Sequence, residues 1–429
     1  MPMHNAFAQD LLPILPQLLE VFLPPFHVLH ERGIIEAAKN LQRTLSGADP
    51  RYRNYYAVKA NSNPEVLQLL HQFGMGFDCS SAPELTLARD AGAKGEDIFF
   101  SSNNTTREEF AAALANGDCI LNLDDIELVD KVPDPFPKLI CFRYNPGAQR
   151  VLNSVIGNPE TCKYGVPHEQ IVEAYRLAKQ KGAKRFGLHT MVVSNECDWQ
   201  CHAETAAMLL NVAELLWREL DIRVELINIG GGLGIPYRPK EQPVDLPQLA
   251  AEIKQLLDAF AETHGWRPRL CSENGRYVLG PNGVFVAKCI SEKHGYRKFR
   301  GVNASAMSSI MRPPMYHPNG GYHHITVLEE PLDEPKLVSV VGPACEDSDR
   351  FGWDRWLSLH EGQHVIVHDT GAHAIEMGNN YNNRPKPAVL ILRVDGRVDL
   401  IQPAETNEEL VSRRYRYREK PWSWTPNQG

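Results

Sequence analysis

From about residue 54, short β-branched and aromatic runs alternate with longer stretches whose apolar positions recur every three or four residues. Asn54–Lys59 reads as a strand, and Pro64–Leu70 follows with helical spacing and a proline in its first turn. Asp97–Phe100 precedes a helix near 106–116, and Lys138–Arg143, Arg185–His189 and Glu225–Ile229 continue the strand series. Helices near 167–181, 202–220 and 246–264 separate them. This rhythm predicts an α/β protein with a parallel sheet, closed into a barrel or doubly wound. After about residue 283 the texture changes. Val284–Ile290, Tyr322–Val327 and His364–His368 read as strands without long helices between them, and Ala388–Arg393 turns at Asp395-Gly396 into Val398–Ile401 as a hairpin. The second half is therefore expected to be mainly β. No internal repeat or low-complexity segment is visible. The aromatic and charged stretch from Arg413, with Tyr415, Tyr417, Trp422 and Trp424, suggests no role.

Composition narrows the classes. The 429 residues, 43% hydrophobic and 23% charged, supply ample core for two domains or one large barrel with an appendage. A net charge of −8 argues against a nucleic-acid partner, and no apolar run reaches the length of a membrane span. Met1–Asn5 lacks a basic region before a hydrophobic core, and nine scattered cysteines read as reduced thiols. A cytoplasmic enzyme is the expectation.

Four segments could carry chemistry. Lys59 closes an apolar strand, where the mouth of a barrel would lie and where partial desolvation suits an amine to Schiff-base formation; a surface lysine capping a strand fits as well. Gly230-Gly231-Gly232 exposes backbone N–H groups after a strand and suits a phosphate, although a plain turn is an equal reading. Glu273-Asn274-Gly275-Arg276 could set an acid on a ring nitrogen and a cation on an anion, or form a structural ion pair. Gly342–Asp349 crowds a thiol and acids into a turn without calcium-loop spacing. Cys197, Cys201 and His202 lack a second ligand pair, so no metal is expected, and His317, His323 and His324 read as packed or solvated histidines.

Taken together, in order, these segments resemble the alanine-racemase-like, fold type III pyridoxal-phosphate enzymes, most closely the diaminopimelate decarboxylases. The resemblance runs from about Pro25 to Glu408. It implies a (β/α)8 barrel of the TIM type over residues 33–283. A mainly antiparallel C-terminal β domain follows over 284–429, joined by residues 1–32 through Phe26–Leu29. Tyr56–Asn61 matches the lysine motif, which makes Lys59 the residue that joins the cofactor aldehyde, and Asp78–Leu85 matches the segment beside it. Gly230, Gly231 and Gly232 would bind the cofactor phosphate with Ser194 as a helper. Glu273 would pair with the pyridine nitrogen; a racemase would want an arginine there. Gly275, Arg276, His373 and Tyr381 complete the cofactor set that the resemblance implies. Cys345, in a Cys-Glu pair, would enter from the second subunit of a homodimer and take part in protonation. Arg276, Arg312 and Tyr316 match positions that hold a distal carboxylate, and Glu346 the one that meets a distal ammonium. The implied reaction is pyridoxal 5'-phosphate-dependent conversion of meso-diaminopimelate to L-lysine and carbon dioxide. The alternative is a decarboxylase of lysine, ornithine or a carboxylated polyamine precursor. A non-catalytic cofactor-binding protein of this type would lack the β domain.

Three positions depart from the family pattern. Met191-Val192-Val193-Ser194 stands where His-Ile-Gly-Ser is usual, so that Met191 or His189 must supply the ring face. His373 replaces the tyrosine of Gly-Ala-Tyr, and Asn274 replaces the proline of Glu-Pro-Gly-Arg.

Overall fold

The computed structural model describes residues 3–115, 117–150, 158–318 and 321–415; the aromatic positions Tyr417, Trp422 and Trp424 lie outside them. Eight parallel strands form a closed barrel: Arg53–Ala57, Gly76–Cys79, Ile98–Phe100, Ile120–Leu123, Leu139–Asn145, Arg185–His189, Leu226–Asn228 and Arg269–Ser272. Closure is direct, because Cys271 pairs with Arg53 and Ser272 with Asn54 in a parallel register. The open doubly wound alternative is thereby excluded. The barrel helices run where the apolar spacing put them. The helix Leu246–His264 starts at Asp245, whose carboxylate accepts from Gln248 N, and ends at Gly265 with φ 75°. The helix expected from about 202 begins earlier, at Trp199, because Asp198 caps Gln200 N.

A second, nine-stranded sheet holds the β-rich half. Its long strand Gly283–His294 pairs antiparallel with Phe26–His30, Lys298–Val302 and His364–Val367. Phe26–His30 also lies parallel to Ala388–Leu392, so the start of the chain is stitched between two late strands. The hairpin Ala388–Leu392 to Val398–Gln402 forms as its turn predicts. The strand expected from Tyr322 is shorter, Ile325–Val327, and leaves His323 free to turn its ring toward the His368 carbonyl. Two N-terminal helices, Asn5–Leu11 and Leu15–Val21, cover this sheet through Phe7, Leu11 and Leu15 against Val28, Val284 and Leu390. None of the described helices is long and apolar enough to cross a membrane.

Inside the barrel, side-chain alternation makes two layers. The lower layer is apolar: Tyr55, Phe99, Ile120, Cys141, Leu226 and Cys271 form one buried cluster. Gly76 and Gly187 complete it, since a Cβ at Gly76 would lie 2.7 Å from the Tyr55 ring and one at Gly187 2.8 Å from Leu226. Two residues further along the eight strands come Ala57, Asp78, Ser101, Asn122, Arg143, His189, Asn228 and Glu273. The floor is greasy and the storey above it is polar.

Candidate active site

The polar layer opens into a cavity of about 500 Å³ at the C-terminal ends of the strands. Its walls include Lys59, Asp78, Ser194, Gly231, Gly232, Glu273, Gly275, Arg276, Arg312, Tyr316 and His373. Residues separated by more than three hundred positions in the chain thus meet around one space.

Lys59 does not lie in the strand itself. The strand ends at Ala57, and the single 3-10 turn Val58–Ala60 lifts the amine over the mouth. Its Nζ donates to Asp78 Oδ2 at 2.9 Å, and its side chain is half open to the cavity. Burial opposes the ammonium there, but Asp78 and Glu273 outweigh it and hold the amine above the usual lysine range. Asp78 is 1% exposed, and burial together with the Glu273 charge pushes its carboxyl up. Its second oxygen, Oδ1, is buried without a hydrogen-bond partner.

Glu273 behaves differently. Burial alone would neutralise it, yet His189, Lys59 and Arg143 keep its carboxyl below the usual range. Asn228 Nδ2 donates to Oε1 at 2.8 Å, and His189 Nε2 lies 3.3 Å from Oε2. Asn122 Nδ2 donates to His189 Nδ1 at 2.9 Å, which leaves the ring proton on Nε2, aimed at Glu273. An ionised carboxylate, 6% exposed, therefore faces the cavity on a braced imidazole.

The glycine turn is tight. Gly230 and Gly232 have φ 72° and 94°, and a Cβ at Gly231 would sit 2.6 Å from the Glu273 carbonyl oxygen. Asn274 explains how this turn is held. Its Oδ1 accepts from Leu233 N at 3.1 Å, and its own N–H donates to Asn54 Oδ1 at 2.8 Å. A proline could make neither bond. Met191 places its sulfur against the same turn, accepting from Gly231 N at 3.2 Å, while His189 beside it serves Glu273. An amine, a phosphate-sized glycine cradle with no room for Cβ atoms and a buried anionic carboxylate are the donor set a pyridoxal phosphate requires, and the residues fit that group.

Part of the cavity wall is cationic. Arg276 and Arg312 are 9% and 3% exposed. Arg276 Nη1 donates to Tyr237 Oη at 2.6 Å, and the Arg312 guanidinium lies 4.7 Å from the centre of the Tyr237 ring and 5.7 Å from that of Tyr316. Burial and the neighbouring Arg276 bring the Arg312 pKa down to about 10. Burial and both arginines hold His373 neutral, its pKa far below the ordinary value.

Three sequence candidates stand elsewhere in this chain. Cys345 is exposed, Glu346 lines a separate cavity in the β-rich half, and Tyr381 is 46% exposed. They share one face, since Cys345 N donates to Asn382 Oδ1. Among the described residues no group of His, Cys, Asp and Glu side chains is arranged to hold a metal ion. Sequence reading missed the role of Asn122, Arg143, Asn228 and Tyr237. The first three were within reach, because each lies two positions beyond an apolar residue of the barrel floor.

Residues 31–280 match the family model described as pyridoxal-dependent decarboxylase, pyridoxal binding domain. Protein TabA of Pseudomonas amygdali pv. tabaci is 40% identical over 411 residues, with 95% of both chains covered. The diaminopimelate decarboxylase of Methanothermobacter thermautotrophicus is 35% identical over 402 residues, covering 92% of each. The crystal structure of diaminopimelate decarboxylase from Helicobacter pylori complexed with L-lysine superposes with a TM-score of 0.83 at 27% identity, over 95% of this chain and all of that one. With the lysine, the glycine turn and the buried Glu273 lining one cavity inside that matched segment, the chain belongs to the pyridoxal-dependent decarboxylase family and uses pyridoxal phosphate as its cofactor.

Proposed function

We propose that this protein removes one carboxyl group of meso-diaminopimelate, releasing carbon dioxide and L-lysine. The observation that carries this substrate is the pair of buried arginines, Arg276 and Arg312, that line the same cavity as Lys59. Burial, with Arg276 nearby, lowers the Arg312 pKa, so an anionic ligand between the two would stabilise both charges, and a carboxylate can accept from both. The far end of lysine or ornithine is an ammonium, which would meet repulsion there. The relatives named diaminopimelate decarboxylase support the same reading.

Bound in the cradle, pyridoxal phosphate supplies a cationic ring that draws off the electron pair left as the carboxylate departs. Lys59 would present its amine to the cofactor aldehyde. Asp78 holds that amine in place at 2.9 Å. Glu273, kept ionised by His189, holds the proton on the ring nitrogen. Gly230, Gly231 and Gly232, with Ser194, Gly275 and Arg276 beside them, seat the phosphate. Arg276, Arg312 and Tyr316 fix the substrate carboxylate that is not lost. Cys345, supplied with Glu346 by a second copy of the chain, returns a proton to the carbon that lost carbon dioxide, and Tyr381 approaches the cofactor from the same face. That sharing makes the active unit a homodimer; the exposure of Cys345 outside its own cavity supports it. A cytoplasmic setting suits the nine unpaired thiols.

The substitutions at Met191 and His373 favour a second reading, decarboxylation of lysine, ornithine or a carboxylated polyamine precursor. Carbon dioxide release from meso-diaminopimelate, L-lysine and L-ornithine by the cofactor-loaded enzyme decides between them. Strong preference for meso-diaminopimelate is expected; equal or better turnover of lysine or ornithine overturns the assignment.

A further inference from the structure

Tyr237 occupies an unusual place between two like charges. It is 4% exposed and does not line the cavity, yet it touches both arginines that do. Its hydroxyl oxygen accepts from Arg276 Nη1 at 2.6 Å, the Arg276 guanidinium standing 5.8 Å from the ring centre, while Arg312 lies over the ring at 4.7 Å. The phenol therefore offers a lone pair to one guanidinium and the negative face of its π-system to the other. A neutral group with those two features can touch two buried cations without adding charge of its own.

The ring is itself held from behind and from the chain. His323 meets it edge-on with centroids 5.0 Å apart, and His323 Nδ1 faces the His368 carbonyl oxygen at 2.8 Å. The loop that carries Tyr237 begins at the glycine turn. Along it Leu233 N donates to Asn274 Oδ1 and Ile235 N to Asn195 Oδ1, and a Cβ at Gly280 would come within 2.7 Å of the Ile235 side chain. The phosphate cradle and the brace behind the arginines are thus one pinned segment, Gly230–Tyr237.

We infer that Tyr237 is a positioning residue that sets the spacing of Arg276 and Arg312 and thereby the selection for substrates carrying a carboxylate at the end away from Lys59. This rests on the reading that those arginines receive such a carboxylate.

The test compares two ligands that differ by one carboxylate, L-lysine and 1,5-diaminopentane. Their binding to cofactor-loaded wild type, Y237F and Y237L is measured by calorimetry, alongside KM and kcat for meso-diaminopimelate. Wild type is expected to bind L-lysine at least tenfold more tightly than the diamine. Y237F, which loses only the Arg276 contact, is expected to reduce that ratio about fivefold, and Y237L, which removes the ring under Arg312, to abolish it. Both variants are expected to raise KM more than they lower kcat, and to leave binding of the diamine within twofold of wild type. If Y237F, with a wild-type melting temperature, and Y237L both keep the full preference for L-lysine, the inference is wrong while the carboxylate reading survives. If wild type itself shows no preference, the carboxylate reading fails and takes the inference with it. Equal weakening of both ligands would mark Tyr237 as packing alone and would also overturn it.

Discussion

The two ends of the cavity handle buried charge in opposite ways. At the lysine end, Lys59 meets acids from neighbouring strands, and the charges balance within the barrel: Asp78 and Glu273 raise the amine's basicity while His189 keeps Glu273 ionised. At the arginine end, Arg276 meets Tyr237, Arg312 lies beside Tyr237 and Tyr316, and burial lowers the Arg312 pKa. The lysine end is complete within the protein and cofactor. The arginine end carries the proposed contact with a substrate carboxylate. The supports differ as well: Asp78 lies on a barrel strand and Lys59 and Glu273 just past two others, whereas Arg276 and Arg312 open the short helices Arg276–Leu279 and Arg312–Tyr316.

Breaking the lysine end should cost most. K59A removes the amine that joins the cofactor, and kcat for carbon dioxide release is expected to fall about 10⁴-fold while the fold persists by circular dichroism. At the arginine end, R312A should act on binding: KM for meso-diaminopimelate is expected to rise roughly 100-fold with a smaller change in kcat. Equal weakening of lysine and ornithine in R312A would erase the distinction between the ends. N274P removes two backbone anchors of the glycine turn. Its effect should fall on the lysine end, as about tenfold weaker cofactor retention in a fluorescence titration.

Mixing asks whether a third contribution comes from another copy. Equal amounts of inactive K59A and C345A chains, refolded together, are expected to regain about a quarter of wild-type activity, because half the dimers are mixed and each then has one intact site. No recovery would place Cys345 outside the active unit. The smallest expected effect concerns the loop 368–373, which brings His373 to the cavity. Burial raises the Asp369 carboxyl to about 8, above its unfolded value. The folded state then keeps a proton that the unfolded chain has lost, so stability falls as pH rises and levels off above pH 8. Between pH 6 and 8 the wild type should lose about 2 kcal/mol relative to D369N, read as a falling melting temperature. Asparagine tolerates the φ of 59° at this position, so D369N keeps the loop conformation.

Much of the lysine end was legible along the chain, for local reasons. Lys59, Glu273 and the glycine turn each follow a strand within four residues, and α/β periodicity places such positions at one rim. The departures at Met191 and Asn274 were visible as letters, but not their uses: one sulfur accepts from Gly231 N, and one amide replaces a proline with hydrogen bonds that a proline cannot make. Tyr237 carried no sequence signal at all, because a tyrosine five residues past a glycine run has no period to obey.

By itself, then, the amino-acid order determined the strand–helix alternation, the apolar floor and the polar storey above it, because those follow from side-chain repeats of two and of about three and a half along a backbone. Barrel closure was decided by the pairing of Cys271 with Arg53, contacts between residues far apart in the chain. Only the tertiary structure could bring Arg276, Arg312 and Tyr237 from three separate segments to a common point. The exposure of Cys345 was also settled there, since burial depends on what the folded chain packs against and not on neighbouring letters.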